Sequence, residues 1–223
     1  EIKGISVLGT GDFTHPLYLA ELKTKLEPSD GNLLTLKNGS KNVHFVLTAE
    51  VSNIFSQAGK LHKIHTLIFA PTLEVVEKIN AKLGRRGKLS SDGRPIFGFH
   101  VKDLVKLILD TSEDCFLVPA HAWTPWFSLF GAKSGFDSLE ECFEDQAEYI
   151  YAIETGLSSD PAMNWRLSAL DKITLISNSD AHSPNKIGRE ANVFDCDLNY
   201  NQIIKSIREK DGSKLLFTAE FFP

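Results

Sequence analysis

Residues 173–184 read ITLISNSDAHSP. A short apolar and β-branched run ends abruptly in a polar stretch that holds Asp180 and His182 two positions apart. A loop that merely leaves a buried strand needs neither an aspartate nor a histidine, whereas a metal site uses both. If the strand continued through them, residues i and i+2 would leave on one face and could address one metal cluster. Taken alone, the pair reads equally well as the polar cap of a strand.

The same arrangement recurs along the chain. Short apolar runs, GISVLGTG (4–11), VHFVLTAE (43–50), IHTLIFAP (64–71), CFLVPAHA (115–122), YIYAIETG (149–156), ITLISNSD (173–180) and KLLFTAEFF (214–222), alternate with amphipathic segments. Helical spacing predicts helices over 73–83, 101–109, 138–148 and 201–210; the first carries Leu73, Val76, Ile79 and Leu83 on one face. Apolar strands separated by helices predict an α/β fold with a mostly parallel sheet, open or closed into a barrel. Most runs end at a residue able to bind metal or move protons: Asp12 with His15 close behind, Glu50, His121, Glu154, then Asp180 and His182. In a parallel α/β barrel the strand C-termini open on one face, where the chemistry is done. Strand after strand delivering a carboxylate or an imidazole to one rim exceeds what capping requires.

The 223 residues suffice for one domain with a full core, and residues 1–223 are read as one. No apolar run approaches the ~18 residues of a membrane span, and the opening EIKGISVLGT lacks the pattern of a signal peptide. Cys115, Cys142 and Cys196 are odd in number, far apart and without a CxxC, as in reduced, mostly buried cysteines of a cytoplasmic protein. A net charge of −5 gives no overall attraction to nucleic acid. A local basic stretch exists between Lys82 and Arg94, KLGRRGKLSSDGR, with five cations against Asp92. It reads as a solvated loop or as a guide for a phosphate backbone through Arg85, Arg86 and Lys88.

A His, Asp and Glu set without cysteine suits Zn²⁺, Mn²⁺ or Fe²⁺. Glu50 could bridge two ions through its two oxygens. Several ions in one site hold a phosphate between them, generate hydroxide at neutral pH and stabilise a leaving oxygen, so phosphoester hydrolysis is the expected reaction. His44, His62 and His100 have no strand-end position and read as surface or packing residues. His65 lies early in its run, where an ordinary barrel strand would point it away from the active face. Glu154 suits a group that orients a ligand histidine.

These motifs resemble the PHP (polymerase-and-histidinol-phosphatase) superfamily of metal-dependent phosphoesterases. GTGDFTHP, LTAEVS, IHTLIFAP, VPAHAW and NSDAHSP occur in that family's order over essentially the whole chain. The longer stretches HAWTPWFSLFGAKSGFDSLEECF, ETGLSSDPAMNWRLSALD and SNSDAHSPNKIGREAN are similar to the endonuclease Q group, with its bacterial relatives. The resemblance implies a distorted (β/α)₇ barrel with up to three metal ions and cleavage of DNA beside deaminated or missing bases. It implies metal ligation by Asp12, Glu50, His65, His121, Asp180 and His182. Many PHP proteins carry Asp followed directly by His at the first of these positions; here Asp12, Phe13, Thr14 and His15 leave either Asp12 or His15 as the coordinating group. The family's first-strand His-x-His motif is absent, and LFTAEFFP stops about where endonuclease Q enters a zinc module. The expectation is thus a PHP core cut at both ends, with an incomplete metal cluster.

Several residues are candidates for touching DNA. Trp123 and Trp126, with Phe127 and Phe130, could stack on an extruded base or unpaired strand, or pack as a lid. Lys186 and Arg189 follow His182, and an arginine there could pair with a phosphate and serve catalysis. Asn164 and Arg166 are candidate readers of base or backbone. Two rival readings stand beside the endonuclease: a small-molecule phosphatase and a catalytically silent PHP scaffold.

Overall fold

The computed structural model describes residues 1–91 and 94–220. Strand β1 (Val7–Gly9) leads into α1 (Pro16–Lys25), whose proline sits in the first turn, where its missing N–H costs nothing. Strands β2 (Leu26–Pro28) and β3 (Leu34–Leu36) form a small antiparallel pair. The dominant feature follows: β4 (His44–Gln57) and β5 (Lys60–Ala70), a long hairpin paired from Leu47↔Ala70 to Gln57↔Lys60. Its two-residue turn is Ala58 (φ 48°) and Gly59 (φ 78°). Left-handed conformation at both turn positions matches the twist of the flanking strands and closes a tight hairpin.

Helix α2 (Leu73–Leu83) covers the range expected from its spacing, with Thr72 accepting the Val75 N–H at its start and Val76, Ile79 and Leu83 buried. After β6 (Ile96–Phe97), helix α3 (Val101–Leu109) also matches expectation and buries Val101, Leu104, Val105 and Ile108. Strand β7 (Phe116–Pro119) is buried along its whole length. The helix expected over 138–148 is shorter: α4 (Leu139–Phe143) stops where Glu144 takes φ 48°, and a 3₁₀ segment continues to Tyr149. Then come β8 (Ala152–Glu154), α5 (Pro161–Asn164), β9 (Thr174–Ile176), β10 (Glu190–Phe194), α6 (Tyr200–Arg208) and β11 (Leu215–Glu220). Every apolar run singled out in the sequence contains one of these strands; Phe221 and Phe222, at the end of the last run, lie outside the described residues.

The fold is mixed α/β, but its main sheet is not mostly parallel. β1 and β6 pair parallel with β4, whereas β3–β4, β4–β5 and β5–β7 are antiparallel. For β4 and β5 the cause is the Ala58–Gly59 turn: two residues bring a chain back antiparallel, while a parallel return needs a crossover of a dozen or more. β8 and β9 form a separate parallel pair, and β10–β11 an antiparallel one. The pairings among the described residues form three sheets and do not close into a barrel. One large apolar cluster joins α1, α2 and α3 to the inner face of the main sheet, and a second lies between β7, β8, β9 and α6. No helix among the described residues is long and apolar enough to cross a membrane.

Candidate metal centre

The reversal of β5 explains how His65 reaches the site. Ser52 pairs with His65 and Glu50 with Leu67, so Glu50 and His65 are diagonal neighbours on one face of the hairpin. β7 runs antiparallel to β5, and His121 follows immediately beyond its end, beside His65, whose carbonyl accepts the Ala120 N–H. The head of an apolar run is therefore at the same level as the ends of its neighbours. Glu50, His65 and His121 present ligand atoms that all lie within 4.8 Å of one another. Glu50 Oε1 is 2.9 Å from His65 Nδ1 and 3.4 Å from His121 Nε2, and the two ring nitrogens are 3.1 Å apart.

His121 is held on three sides. Its φ of 31° is unusual for a residue with a side chain. The Thr124 hydroxyl donates to the Trp126 carbonyl (2.9 Å) and so accepts from His121 Nδ1–H (2.9 Å), which turns the Nε2 lone pair toward Glu50 and His65. The His121 backbone N–H donates to Glu154 Oε2 at 2.7 Å, and Asn178 Nδ2 donates to Glu154 Oε1 at 2.9 Å. Asn178 is itself held by Asn192, whose amide also pairs with the backbone of Ser177. Glu154 thus orients His121 through the backbone rather than the ring. Behind it, Gly156 (φ +62°) leaves no room for a side chain: a Cβ there would stand 2.7 Å from that of His121.

Arg94, just before β6, also reaches Glu50. Its Nη2 donates to Glu50 Oε2 at 3.0 Å and to Asp180 Oδ1 at 3.4 Å, and its Nε lies 2.8 Å from Glu50 Oε1. Burial works against the Glu50 charge, yet contact with His121 and His65 and the Arg94 charge outweigh it, holding its pKa well below the usual carboxylate range. For His65, burial dominates and lowers the pKa, with Glu50 partly opposing. For His121, burial is outweighed by Glu50, Glu154 and Asp180, which raise it. Burial pushes Glu154 up to about 7.

These residues fit a divalent cation. Glu50 Oε1 is buried and receives no well-directed hydrogen bond, although three nitrogens crowd it. Two imidazole nitrogens 3.1 Å apart need a proton or a cation between them. A neutral imidazole pair with a carboxylate is a donor set for Zn²⁺, Mn²⁺ or Fe²⁺.

The other sequence candidates occupy different positions. Asp180 (φ 42°) joins the cluster through Arg94. β9 ends at Ile176, so the chain is not extended through Asp180 and His182; the His182 ring is 71% exposed and its Nδ1 lies 2.9 Å from the Asp180 carbonyl. Asp12 is exposed, with its charge felt by Arg94, and His15 stands at the N-cap of α1. Arg189 donates to the carbonyls of Ser179 (2.7 Å) and Asp180 (3.3 Å), bracing the loop that carries Asp180, and Lys186 is exposed. Asn164 is fully buried and commits its amide to Trp123, Ser159 and Asp160. Trp123 packs on Phe130 (4.7 Å between centroids), and Arg166 lines a cavity of about 200 Å³ with Phe130, Leu139 and Leu170. Trp126 is half exposed, with the Lys63 ammonium 4.9 Å from its ring, while Phe127 packs on His65 at 4.6 Å. Within the basic stretch, Arg85, Arg86 and Lys88 are exposed and Arg94 turns inward; Asp92 and Gly93 lie outside the described residues. His62 packs against Phe55 and Phe136, and His100 against Phe55.

Sequence reasoning missed the contacts that Arg94, Thr124, Asn178 and Lys63 make at or beside the cluster. Thr124 and Asn178 stand beside strand ends, a local signal; Arg94 and Lys63 carry none, since their partners are distant in the chain.

No family model matches the sequence. The chain is 32% identical over 223 positions to the uncharacterized protein YqxK of Bacillus subtilis (strain 168), covering 97% of this chain and 54% of that protein. It is 35% identical over 96 residues to the uncharacterized protein MJ0043 of Methanocaldococcus jannaschii, 40% of this chain and 12% of that protein. Its fold superposes on the crystal structure of the lesion-specific endonuclease PfuEndoQ from Pyrococcus furiosus with a TM-score of 0.83 and 32% identity, covering 99% of this chain and 52% of that one. It superposes equally on a crystal structure of endonuclease Q in complex with a 27-mer duplex substrate with an abasic lesion at the active site: TM-score 0.82, 31% identity, 98% of this chain and 52% of that one. The chain spans about half the length of YqxK and of both endonuclease Q chains.

Proposed function

We propose that this chain is the metal-binding part of a PHP-type DNA endonuclease of the endonuclease Q kind, a hydrolase that cuts a phosphodiester bond beside a damaged base. The observation that carries the proposal is the convergence of Glu50, His65 and His121 within 4.8 Å, in a fold that matches a lesion-specific endonuclease over 99% of this chain. The barrel reading belongs with it. β1, β4, β5 and β7 are hydrogen-bonded neighbours in that order, β7 runs beside β8, and β8 pairs with β9, a succession of neighbours compatible with a distorted barrel in which β5 is reversed.

In this reading Glu50, His65 and His121 would hold a divalent ion, with Asp180 as a further candidate ligand. Asp12, His15 and His182 are the residues this reading assigns to a second or third ion. A bound cation of this kind supplies Lewis acidity to a phosphodiester and an activated water. The protein's own work is to fix the donors: Thr124 sets the His121 tautomer, Glu154 and Asn178 fix its backbone, and Arg189 braces the loop of Asp180. The half-exposed Trp126 and the Lys63 ammonium beside it offer a stacking surface and a phosphate contact near the centre. The exposed Arg85, Arg86 and Lys88 would follow the backbone, and Lys186 would meet it beyond Asp180.

The test is cleavage by the full-length protein, with Mn²⁺ or Zn²⁺, of duplexes carrying one deoxyinosine, deoxyuridine or abasic site beside an undamaged control. A nick adjacent to the lesion is expected. Absence of any lesion-dependent nick, together with phosphate release from a small monoester, would overturn the DNA assignment.

A further inference from the structure

We propose that Arg94 is a displaceable counter-ion of the centre: it pairs with Glu50 and Asp180 when no divalent cation is held there, and binding of the cation moves it out. The proposal rests on the metal reading of Glu50, His65 and His121 and is independent of DNA being the substrate.

The Arg94 guanidinium lies against both oxygens of Glu50, at 2.8 and 3.0 Å, and reaches Asp180 Oδ1 at 3.4 Å. It is the one cationic side chain, among the described residues, that ion-pairs with either carboxylate apart from histidines. Without it, Glu50 would be a buried carboxylate facing two imidazoles, a poorly compensated charge. The fit is nevertheless incomplete. Both Arg94 Nε and Glu50 Oε1, though 2.8 Å apart, are buried without a well-directed hydrogen bond. An arginine built permanently into a carboxylate pair normally makes a directed bidentate fork.

Charge and space then decide. Two carboxylates and one guanidinium carry a net charge of about −1, and replacing the guanidinium with a divalent cation brings this to about zero. Keeping both would press two cations together on the same Glu50 oxygens. Arg94 also retains partial exposure, with 27% of its side chain reaching solvent, so its head can leave for water without crossing the core. On exchange the guanidinium gives up its contacts with Glu50 and Asp180 and keeps its own proton, while the cation would take Glu50 and the two facing imidazole nitrogens, and the proton shared between those nitrogens leaves to solvent. Before the exchange, Arg94 ties Glu50 on β4 to Asp180 in the loop after β9, two ligand candidates 130 residues apart in sequence that must be close before a cation arrives.

Two measurements on the metal-stripped full-length protein test this. In calorimetric titration with Mn²⁺, Arg94→Gln is expected to bind the ion more tightly than the unaltered protein, by on the order of tenfold, since a competitor has been removed. In the unaltered protein, phenylglyoxal labelling of Arg94, followed by peptide mass spectrometry, is expected to rise several-fold when Zn²⁺ is added. Affinity unchanged or weakened in Arg94→Gln overturns the proposal, because an arginine that supports the ligands would give that result. Labelling that stays level or falls on Zn²⁺ addition overturns it as well, and decides the matter if Arg94→Gln does not fold. Absence of any Mn²⁺ binding to the unaltered protein removes the metal reading itself, and this proposal with it; failure of lesion cleavage alone leaves both measurements standing.

Discussion

Glu154 accepts the backbone N–H of His121 at 2.7 Å, and this contact holds a histidine of the candidate centre in a left-handed conformation. The carboxylate is 2% exposed, and its other oxygen accepts the Asn178 amide at 2.9 Å. Glu154→Ala would leave two buried donors unpaired, each costing about 1–3 kcal/mol. The expected outcome is a loss of about 2–6 kcal/mol in urea unfolding, with weakened metal binding in the fraction that still folds.

The same pair sets a pH dependence in the metal-stripped protein. Burial raises Glu154 from 4.5 to about 7, and the carboxylates around His121 raise its imidazole above 6.5. In both cases the folded state binds protons more tightly than the unfolded chain. Their stabilisation is fully present below the unfolded pKa values and is lost as pH climbs through the folded ones. Stability should therefore fall between about pH 4.5 and pH 7 and beyond. Glu50, whose pKa is depressed, acts the other way, and its contribution disappears only at lower pH. Thermal unfolding across this range checks the sign, and Glu154→Ala should flatten the neutral limb.

A metal held by His121 should feel Thr124 through the ring that the hydroxyl orients. Thr124→Val removes the acceptor for His121 Nδ1–H, freeing the ring to rotate or to change tautomer. Loss of such a partner typically weakens a metal site 10–100-fold. Calorimetry with Zn²⁺ should show a loss on that order with little change in the unfolding midpoint. Equal affinity in the variant would mean that the hydroxyl does not orient the ring.

Gly156 should tolerate no side chain. Gly156→Ala places a methyl group 2.7 Å from the His121 Cβ at a φ of +62°. Left-handed strain of about 1–2 kcal/mol adds to an overlap that typically costs about 1–3 kcal/mol. A destabilisation of about 2–5 kcal/mol, with reduced metal affinity, is expected from unfolding and titration.

Trp126 provides a test confined to the surface. Its ring is 50% exposed and carries the Lys63 ammonium at 4.9 Å. Trp126→Ala should leave the unfolding midpoint within a degree or two and weaken binding of lesion-containing duplex, since stacking of one base is worth about 1–3 kcal/mol. Fluorescence anisotropy with labelled duplex measures the loss. The buried Asn164 gives a contrast: its replacement by alanine should act on stability first.

By itself, the sequence specified what depends on near neighbours. Helices α2 and α3 fall where helical spacing places them, because 73–83 and 101–109 each turn one apolar stripe inward and carry capping residues at Thr72 and His100. All seven apolar runs hold strands, and the carboxylates and imidazoles at their ends could be named in advance. The tertiary structure decided which of those residues meet. The hairpin through Ala58 and Gly59 reversed β5 and brought His65 level with Glu50, where a parallel sheet would have separated them. The end of β9 at Ile176 and the left-handed Asp180 broke the expected alignment with His182. Arg94, the last cation of a basic stretch, came to rest on carboxylates 44 and 86 residues away. Periodicity and capping act over a few residues and leave a mark in the sequence. Strand direction, burial of a lone charge and long-range ion pairs are settled only when the whole core packs.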